Sequence, residues 1–251
     1  MSDTIKRFSN RVENYVKFRP GYPKKVLDLF SDEMSLQIAS VIADIGSGTG
    51  ISARLFLENG NTVLGVEPNA SMREAAENYL KDFPKFKSVD GTAEKTSLKN
   101  ASVDFVIAAQ AFHWFDKEKT RREFKRILKD KGFVALLWNE RQLNSTEFLR
   151  GYEKLLVEYG TDYEKVRHEN IGEEILRDFF QIKIEQRTFQ NVQTLAFDGL
   201  KGRMLSASYM PTEEDPRFSE MLENLKTLFA QHAENGKIEI IYDTKIFYAQ
   251  I

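Results

Sequence analysis

The chain has 251 residues, 36 basic and 38 acidic, and is 41% hydrophobic, which suits one large or two small globular domains and excludes disordered or collagen-like chains. Since no apolar stretch approaches the roughly 20 residues that cross a bilayer, and the first residues lack a signal peptide's apolar centre, we expect a cytoplasmic protein without a membrane partner. The absence of cysteine excludes disulfides, thiolate metal sites and cysteine nucleophiles, and the net charge of −2 argues against a nucleic-acid partner.

Residues 1–40 are predicted to form a helical lid. Its middle, Arg19-Pro20-Gly21-Tyr22-Pro23, interrupts a helical pattern because proline cannot continue a helix. From residue 41 to 139, apolar runs alternate with helical patterns, which indicates βαβ units around a parallel sheet. The predicted strands are 41–45, 62–66, 86–89, 103–108 and 133–138. The predicted helices run over 50–59, from Asn69 and Ser71 onward, and over 117–128.

Residues 140–251 follow a different pattern. Helices are predicted over 147–159, 173–180, 194–207 and 216–234, and strands over 182–189 and 238–249. We interpret the two strands as an antiparallel pair that completes the sheet, with a substrate-side helical insertion at about 194–235. The chain is therefore predicted to be one α/β domain, a Rossmann-like, doubly wound, seven-stranded sheet that is mostly parallel, with an antiparallel last strand and a helical cap.

Polar residues follow the carboxyl ends of the predicted parallel strands, which is where ligands bind in such sheets. Asp44 lies at the end of the first strand, before a turn with three glycines. Glu67 follows the second strand, about 20 residues after the first glycine, where an acid can bind both hydroxyls of a ribose. Together they predict a nucleoside site. The run from Gly48 to Ala53 also matches the dinucleotide fingerprint G-x-G-x-x-A, so an NAD(P)-dependent oxidoreductase stays an alternative, although the preceding acid and third glycine count against it.

The acid and G-x-G-x-G run, Asp44 and Gly46 to Gly50, resembles the first motif of class I S-adenosylmethionine-dependent methyltransferases. Glu67 stands where that family has its ribose-binding acid. Ala93-Glu94 resembles its adenine-side motif, and residues 102–109 resemble its fourth strand. The resemblance covers residues 41–139, the predicted cofactor-binding core. It implies S-adenosyl-L-methionine as cofactor, S-adenosyl-L-homocysteine as product, and no metal.

The resemblance also implies which residues bind the cofactor. They are Asp44, Gly46, Ser47, Gly48, Thr49, Gly50, Glu67, Pro68, Asn69, Met72, Thr92, Ala93, Glu94, Ala109 and Gln110. Thr92 departs from the aspartate that many relatives use for the adenine amino group. Adenine recognition is therefore expected from Thr92, the neighbouring backbone or Asp90.

The run from Tyr15 to Pro23, together with residues 111–115, resembles a small-molecule subgroup related to trans-aconitate methyltransferases. An ordinary helix-breaking turn explains the first run equally well. The resemblance implies that the N-terminal segment lines the site. The substrate-side candidates are Tyr15, Arg19, Tyr22, Trp114, Trp138 and Arg141.

The expected reaction is an in-line methyl transfer to a small-molecule acceptor, in which the enzyme contributes alignment and water exclusion. A carboxylate acceptor needs no base and fits a grip by Arg19, Arg141 or Arg203. A hydroxyl acceptor needs one, and His113 is the candidate catalytic residue, although the absence of a partner at helical spacing favours a packed core histidine. A protein that binds the cofactor without catalysis stays a further alternative. A monomer or a homodimer is expected, and the spacing of the three histidines predicts no metal site.

Overall fold

The computed structural model describes residues 16–161, 163 and 172–251. Its helices are α1 (Lys25–Met34), α2 (Ile51–Glu58), α3 (Ala70–Tyr79), α4 (Lys117–Ile127), α5 (Glu147–Tyr159), α6 (Glu173–Phe180), α7 (Phe197–Leu205) and α8 (Phe218–His232). Its strands are β1 (Val41–Ile45), β2 (Thr62–Val66), β3 (Phe86–Val89), β4 (Val103–Ala109), β5 (Leu128–Arg141), β6 (Glu185–Leu195) and β7 (Ile238–Gln250). In these described residues, no helix is both long and apolar enough to cross a membrane.

The strands form one seven-stranded sheet in the order β3-β2-β1-β4-β5-β7-β6. The first five are parallel, and the last strands are antiparallel. β1 pairs with both β2 and β4, so the strand order reverses beside the end of β1, where ligands bind in open sheets of this kind. The predicted fold is confirmed.

The parallel strands are apolar throughout because both of their faces are covered. Ile42 and Phe105 point to one face and join a buried cluster with residues of α1 and α2. Ala43 and Val106, one position further along, point to the other face and join a second cluster with α4 and α6. This alternation is the reason that short, continuous apolar runs correctly predicted these strands.

Two predicted strands have limits that are wrong by more than one residue. β5 starts at Leu128, five residues before the predicted 133, because Val103 pairs with Leu128 and Phe105 already pairs with Phe133. The polar residues between these pairs form a bulge in which Lys131 has a φ of 64°. β6 spans Glu185–Leu195 instead of 182–189, which shortens the predicted helix 194–207 to α7.

The described residues divide into two compact units. The larger unit contains 21–139, 172–189 and 244–251, and the smaller unit, which we call the cap unit, contains 16–20, 140–161, 163 and 190–243. The cap unit has a core of its own, built from α5, α7, α8 and the adjoining part of β7. In it, α5 approaches α8 closely at Gly151, where a Cβ would lie 2.4 Å from Leu228 Cδ1.

Candidate functional site

The glycine loop, residues 46–50, connects β1 to α2 and has three glycines with positive φ: 68° at Gly46, 54° at Gly48 and 84° at Gly50. A Cβ at Gly46 would lie 2.6 Å from Ala111 Cβ, and one at Gly50 would lie 2.6 Å from Leu80 Cδ1, so these two glycines permit close packing. A Cβ at Gly48 would meet nothing within 4 Å. Gly48 therefore leaves its backbone open to a ligand.

Asp44 is completely buried at the end of β1. Its Oδ2 accepts a hydrogen bond from Ser52 Oγ at 2.6 Å, in the first turn of α2, while its Oδ1 has no partner among the described residues. The pKa of this carboxyl is raised to about 7, mainly by burial and also by the nearby Glu67 carboxylate, while the Ser52 hydroxyl and the Ala53 amide oppose the rise. A buried carboxylate oxygen without a partner is costly, and a bound cation would relieve that cost.

Glu67 ties two loops together. Its Oε2 accepts from the Gly48 amide at 3.1 Å and its Oε1 from the Asn69 amide at 2.9 Å. Burial raises the pKa of Glu67, whereas these two amides and Arg73 oppose the rise. Each carboxylate oxygen can accept a second hydrogen bond, so Glu67 can bind a pair of neighbouring hydroxyl groups while it holds both loops.

Further residues that are predicted to bind the cofactor follow the ends of β2 and β3. Asn69 begins α3 as its cap and accepts from the amides of Ser71 and Met72, so its side chain orders the loop. Met72 and Ala93 are buried, 5% and 4% exposed, while Pro68 is exposed. Thr92 Oγ1 accepts from the Lys95 amide at 3.2 Å, and Glu94 Oε1 from the Asp116 amide at 2.9 Å.

Gln110 follows Ala109, the last residue of β4, and has a φ of 57°, which is strained for a residue with a side chain. Its amide donates to Leu137 O at 2.9 Å and its Nε2 to Asn139 O at 3.1 Å. Gln110 Oε1 and Thr49 Oγ1 are buried without a partner among the described residues, as Asp44 Oδ1 is. Three unsatisfied polar atoms thus lie at or just after the ends of the neighbouring strands β1 and β4.

Some residues that hold this arrangement have no distinctive sequence pattern. Ser52 binds Asp44, and Asn139 Oδ1 accepts from Thr244 Oγ1 at 2.6 Å. Asn139 Nδ2 donates to Gly21 O at 3.0 Å, next to the predicted lid residue Tyr22. Sequence analysis missed these residues; only Ser52, which lies in the first turn after the glycine loop, has a position that could have identified it.

The predicted aromatic candidates have different environments. Trp138 is 3% exposed and packs edge-on against Phe112 and Phe247, which favours a core role. Trp114 is 49% exposed, and its ring centroid lies 4.5 Å from that of His113. Tyr22 packs partly buried against the cluster that includes α1. Tyr15 lies outside the described residues.

Arg19 and Arg141 belong to the cap unit. Arg19 donates from its terminal nitrogen to Ser206 O at 3.1 Å. Arg141 forms an ion pair with Glu153 and donates to Tyr163 Oη at 3.0 Å. The positive charge of Arg141 is therefore already compensated within its own unit.

Comparison with known proteins agrees with this geometry. Residues 43–136 match the family model of a methyltransferase domain. An uncharacterized methyltransferase-like protein of Schizosaccharomyces pombe is 27% identical over 250 residues, covering 98% of this chain and 96% of the relative.

Two solved structures show the same fold. The structure of a putative type II methyltransferase from Anaeromyxobacter dehalogenans covers 93% of this chain and 98% of its own, with a TM-score of 0.67 and 18% identity. The second is phosphoethanolamine N-methyltransferase 2 of Haemonchus contortus, in complex with phosphomonomethylethanolamine and S-adenosylhomocysteine. The alignment covers 96% of this chain and 57% of that enzyme's chain, with a TM-score of 0.57 and 17% identity. Residues 43–136 are therefore similar to a methyltransferase domain, the chain is similar along nearly its whole length to a methyltransferase-like protein, and it shares the fold of these two structures.

Proposed function

We propose that the protein transfers the methyl group of S-adenosylmethionine to a small-molecule acceptor. The observation that carries the proposal is the set of three buried, unpartnered polar atoms around the glycine loop: Asp44 Oδ1, Thr49 Oγ1 and Gln110 Oε1. Such atoms are uncommon in folded proteins, where a ligand, an ordered water or an ion normally satisfies them. Their chemistry suits a ligand that carries hydrogen-bond donors and positive charge.

The residues of the loop fit this cofactor. Asp44 would hold the ammonium group of its methionine part, and Glu67 would hold the two ribose hydroxyls with the second lone pairs of its carboxylate oxygens. The open backbone at Gly48 leaves room beside them. When bound, S-adenosylmethionine supplies an electrophilic methyl group on a positively charged sulfur.

Electrostatics favours this cofactor over a dinucleotide. A pyrophosphate binds at a helix N-terminus, where free amides and the helix dipole attract negative charge. In this chain the first turn of α2 already interacts with the Asp44 carboxyl through Ser52, and Glu67 adds a second acid beside it. Two carboxyl groups repel a pyrophosphate and attract a sulfonium and an ammonium group.

Hydrogen bonds within the protein hold the loops of the site in place and so help to align the reactants. The ties from Gln110 to Leu137 and Asn139 fix the end of β4, and those from Glu67 fix the loops after β1 and β2. A preorganised site of this kind lowers the entropy that alignment costs. For an acceptor with a hydroxyl group, His113 stays the candidate proton acceptor, and for a carboxylate acceptor no base is needed.

The test is calorimetric titration of the purified protein with S-adenosylmethionine, S-adenosylhomocysteine and NADH. We expect binding of the first two and no binding of NADH. Glu67→Ala should weaken binding on the order of tenfold to a hundredfold, because it removes hydrogen bonds to a charged group. Glu118→Ala, a change of an exposed acid, is the matched control. Binding of NADH alone would replace this proposal with an oxidoreductase.

A further inference from the structure

The carboxyl group of Asp44 is buried without a counter-ion. Asp44 is 0% exposed, and its carboxyl group has one side-chain hydrogen bond, from Ser52 Oγ to Oδ2 at 2.6 Å. Its Oδ1 has no partner among the described residues. A carboxylate that is removed from water keeps its charge only when a cation or several hydrogen bonds compensate it, and otherwise takes up a proton. The geometry therefore favours a neutral Asp44 in the ligand-free chain.

Glu67, the second acid of the site, is better compensated than Asp44. It accepts from two amides, those of Gly48 and Asn69, at 3.1 and 2.9 Å. Two neighbouring acids avoid carrying charge together, so the better compensated one ionises first. The pKa directions agree: burial and, to a lesser extent, Glu67 raise the pKa of Asp44, and no cation lowers it, whereas two amides and Arg73 oppose the rise at Glu67. Asp44 is therefore the acid that holds the proton.

The other charged groups around Asp44 do not replace the missing counter-ion. On α2, which carries Ser52, Arg54 and Glu58 are exposed and bind each other at 2.7 Å. The charged residues of α1 are all exposed. The remaining groups of the surrounding elements that carry charge near neutral pH are Arg73, Glu74 and Glu77 on α3, Asp104 on β4, which pairs with Lys129, and His113 in the segment that meets Gly46. None of them is among the groups that shift the pKa of Asp44.

We infer that binding of S-adenosylmethionine releases a proton from Asp44, so that acidification weakens cofactor binding; this inference rests on the proposed function and adds a regulation of the same site by pH. The O–H bond of the neutral carboxyl breaks, the proton passes to solvent, and the carboxylate pairs with the ammonium group of the methionine part. The ammonium group keeps its own protons, and no covalent bond to the ligand forms. A neutral Asp44 would leave that ammonium group without a counter-ion, which is unfavourable at a buried position. The proton and the cofactor therefore compete for Asp44.

The experiment is calorimetric titration of the purified protein with S-adenosylhomocysteine, which carries the same ammonium group and has no methyl group to transfer. Titrations at pH 6 in MES, PIPES and imidazole, buffers of different ionisation enthalpy, give the number of protons released on binding. We expect about 0.9 proton per ligand, because a carboxyl group with a pKa of about 7 is mostly protonated at pH 6 and is ionised in the complex. The apparent affinity should fall about fivefold from pH 7 to pH 6, where the amine of the ligand is mostly protonated throughout.

Matched comparisons assign the proton to Asp44. Asp44→Asn keeps the shape of the neutral carboxyl, so this variant should release almost no proton at pH 6, and its affinity should be nearly the same at pH 6 and pH 7. Asp82→Asn, at an exposed aspartate, and His113→Asn, at a residue type that also titrates near neutral pH, should release the proton as wild type does. The deamino analogue of S-adenosylhomocysteine, which lacks the ammonium group and keeps the ribose and the carboxylate, should release none.

A second readout needs no variant. The infrared spectrum of the ligand-free protein at pH 6 should contain the carbonyl band of a protonated, buried carboxyl group. Addition of S-adenosylhomocysteine should remove this band, because the carboxyl group of Asp44 ionises when the ligand binds.

The outcomes separate this inference from the proposed function. Protein that binds S-adenosylhomocysteine at pH 6 without releasing a proton, or that keeps the carbonyl band in the complex, overturns the inference and leaves the cofactor assignment intact. Release that persists in Asp44→Asn, or that the deamino analogue also causes, overturns it as well. Protein that binds S-adenosylhomocysteine at neither pH contradicts the proposed function itself, and the inference fails with it.

Discussion

The buried carboxyl of Asp44 predicts an unusual pH dependence of stability. Its pKa rises from an ordinary 3.8 to about 7 in the folded chain, mainly through burial. The folded protein therefore holds this proton more tightly than the unfolded chain does. Stability from this group is fully present below about pH 4 and is lost as the pH rises towards 7, in total roughly 4 kcal/mol.

Asp44→Asn removes this loss because an amide does not ionise, and its oxygen can still accept from the Ser52 hydroxyl. The ligand-free variant should be more stable than wild type at pH 8. The free-energy difference between them should be smaller at pH 5 by about 3 kcal/mol. Urea unfolding of both proteins at pH values from 5 to 8 measures this difference, and comparing the two proteins cancels the titration of the other carboxyl groups.

The matched control is Asp82→Asn, which changes an exposed aspartate. Its free-energy difference from wild type should be near zero and independent of pH. A variant at Asp44 that is less stable than wild type at pH 8, or a difference that does not change with pH, would refute the reasoning. Either result would mean that Asp44 is already ionised and satisfied in the folded chain.

Two further predictions concern the glycine loop and an ion pair away from the site. Gly48→Ala should reduce the free energy of unfolding by only about 1 kcal/mol, because of the positive φ at this position, and should weaken S-adenosylmethionine binding. Gly46→Ala should reduce the free energy of unfolding by more, because the added Cβ meets Ala111. Equal effects of the two substitutions on urea unfolding would contradict the geometry. Glu123→Gln should reduce the free energy of unfolding by about 2 kcal/mol near neutral pH, because Arg126 lowers the pKa of Glu123 to about 2. The stabilisation by the Glu123–Arg126 ion pair should be lost between pH 4.5 and pH 2. A destabilisation by Glu123→Gln that is unchanged at pH 2 would contradict this prediction.

The parts of the fold that the sequence predicts well are those in which one physical signal dominates. The limits of β1, β2 and β3 agree with the predicted runs because each run is apolar and bounded by residues that end strands. The start of β5 was missed because the bulge residues 129–132 are polar. β6 was misplaced because its exposed and half-buried residues alternate, and this weak pattern does not define the ends of an edge strand.

For the site, the sequence predicts which residues follow the strands but not how they bind one another. The acids Asp44 and Glu67 were predicted from their spacing, since a strand end followed by glycines is a local pattern. The bond from the Gly48 amide to Glu67 joins the loops after β1 and β2, and no local pattern encodes such a contact. The same limit applies to Arg141: its partner Glu153 lies on α5, so its neutralisation was not predictable from residue type.

The double attachment of Glu67 has a consequence for mutagenesis of this site. One carboxylate holds the amide of Gly48 in the first loop and that of Asn69 in the second, so a change in either loop alters the same anchor. Losses of affinity from substitutions at Gly48 and at Glu67 should therefore be non-additive, because the second substitution acts on an anchor that the first has already disturbed. A scan of single variants would count this shared energy twice, and only double-variant combinations across the two loops can apportion it.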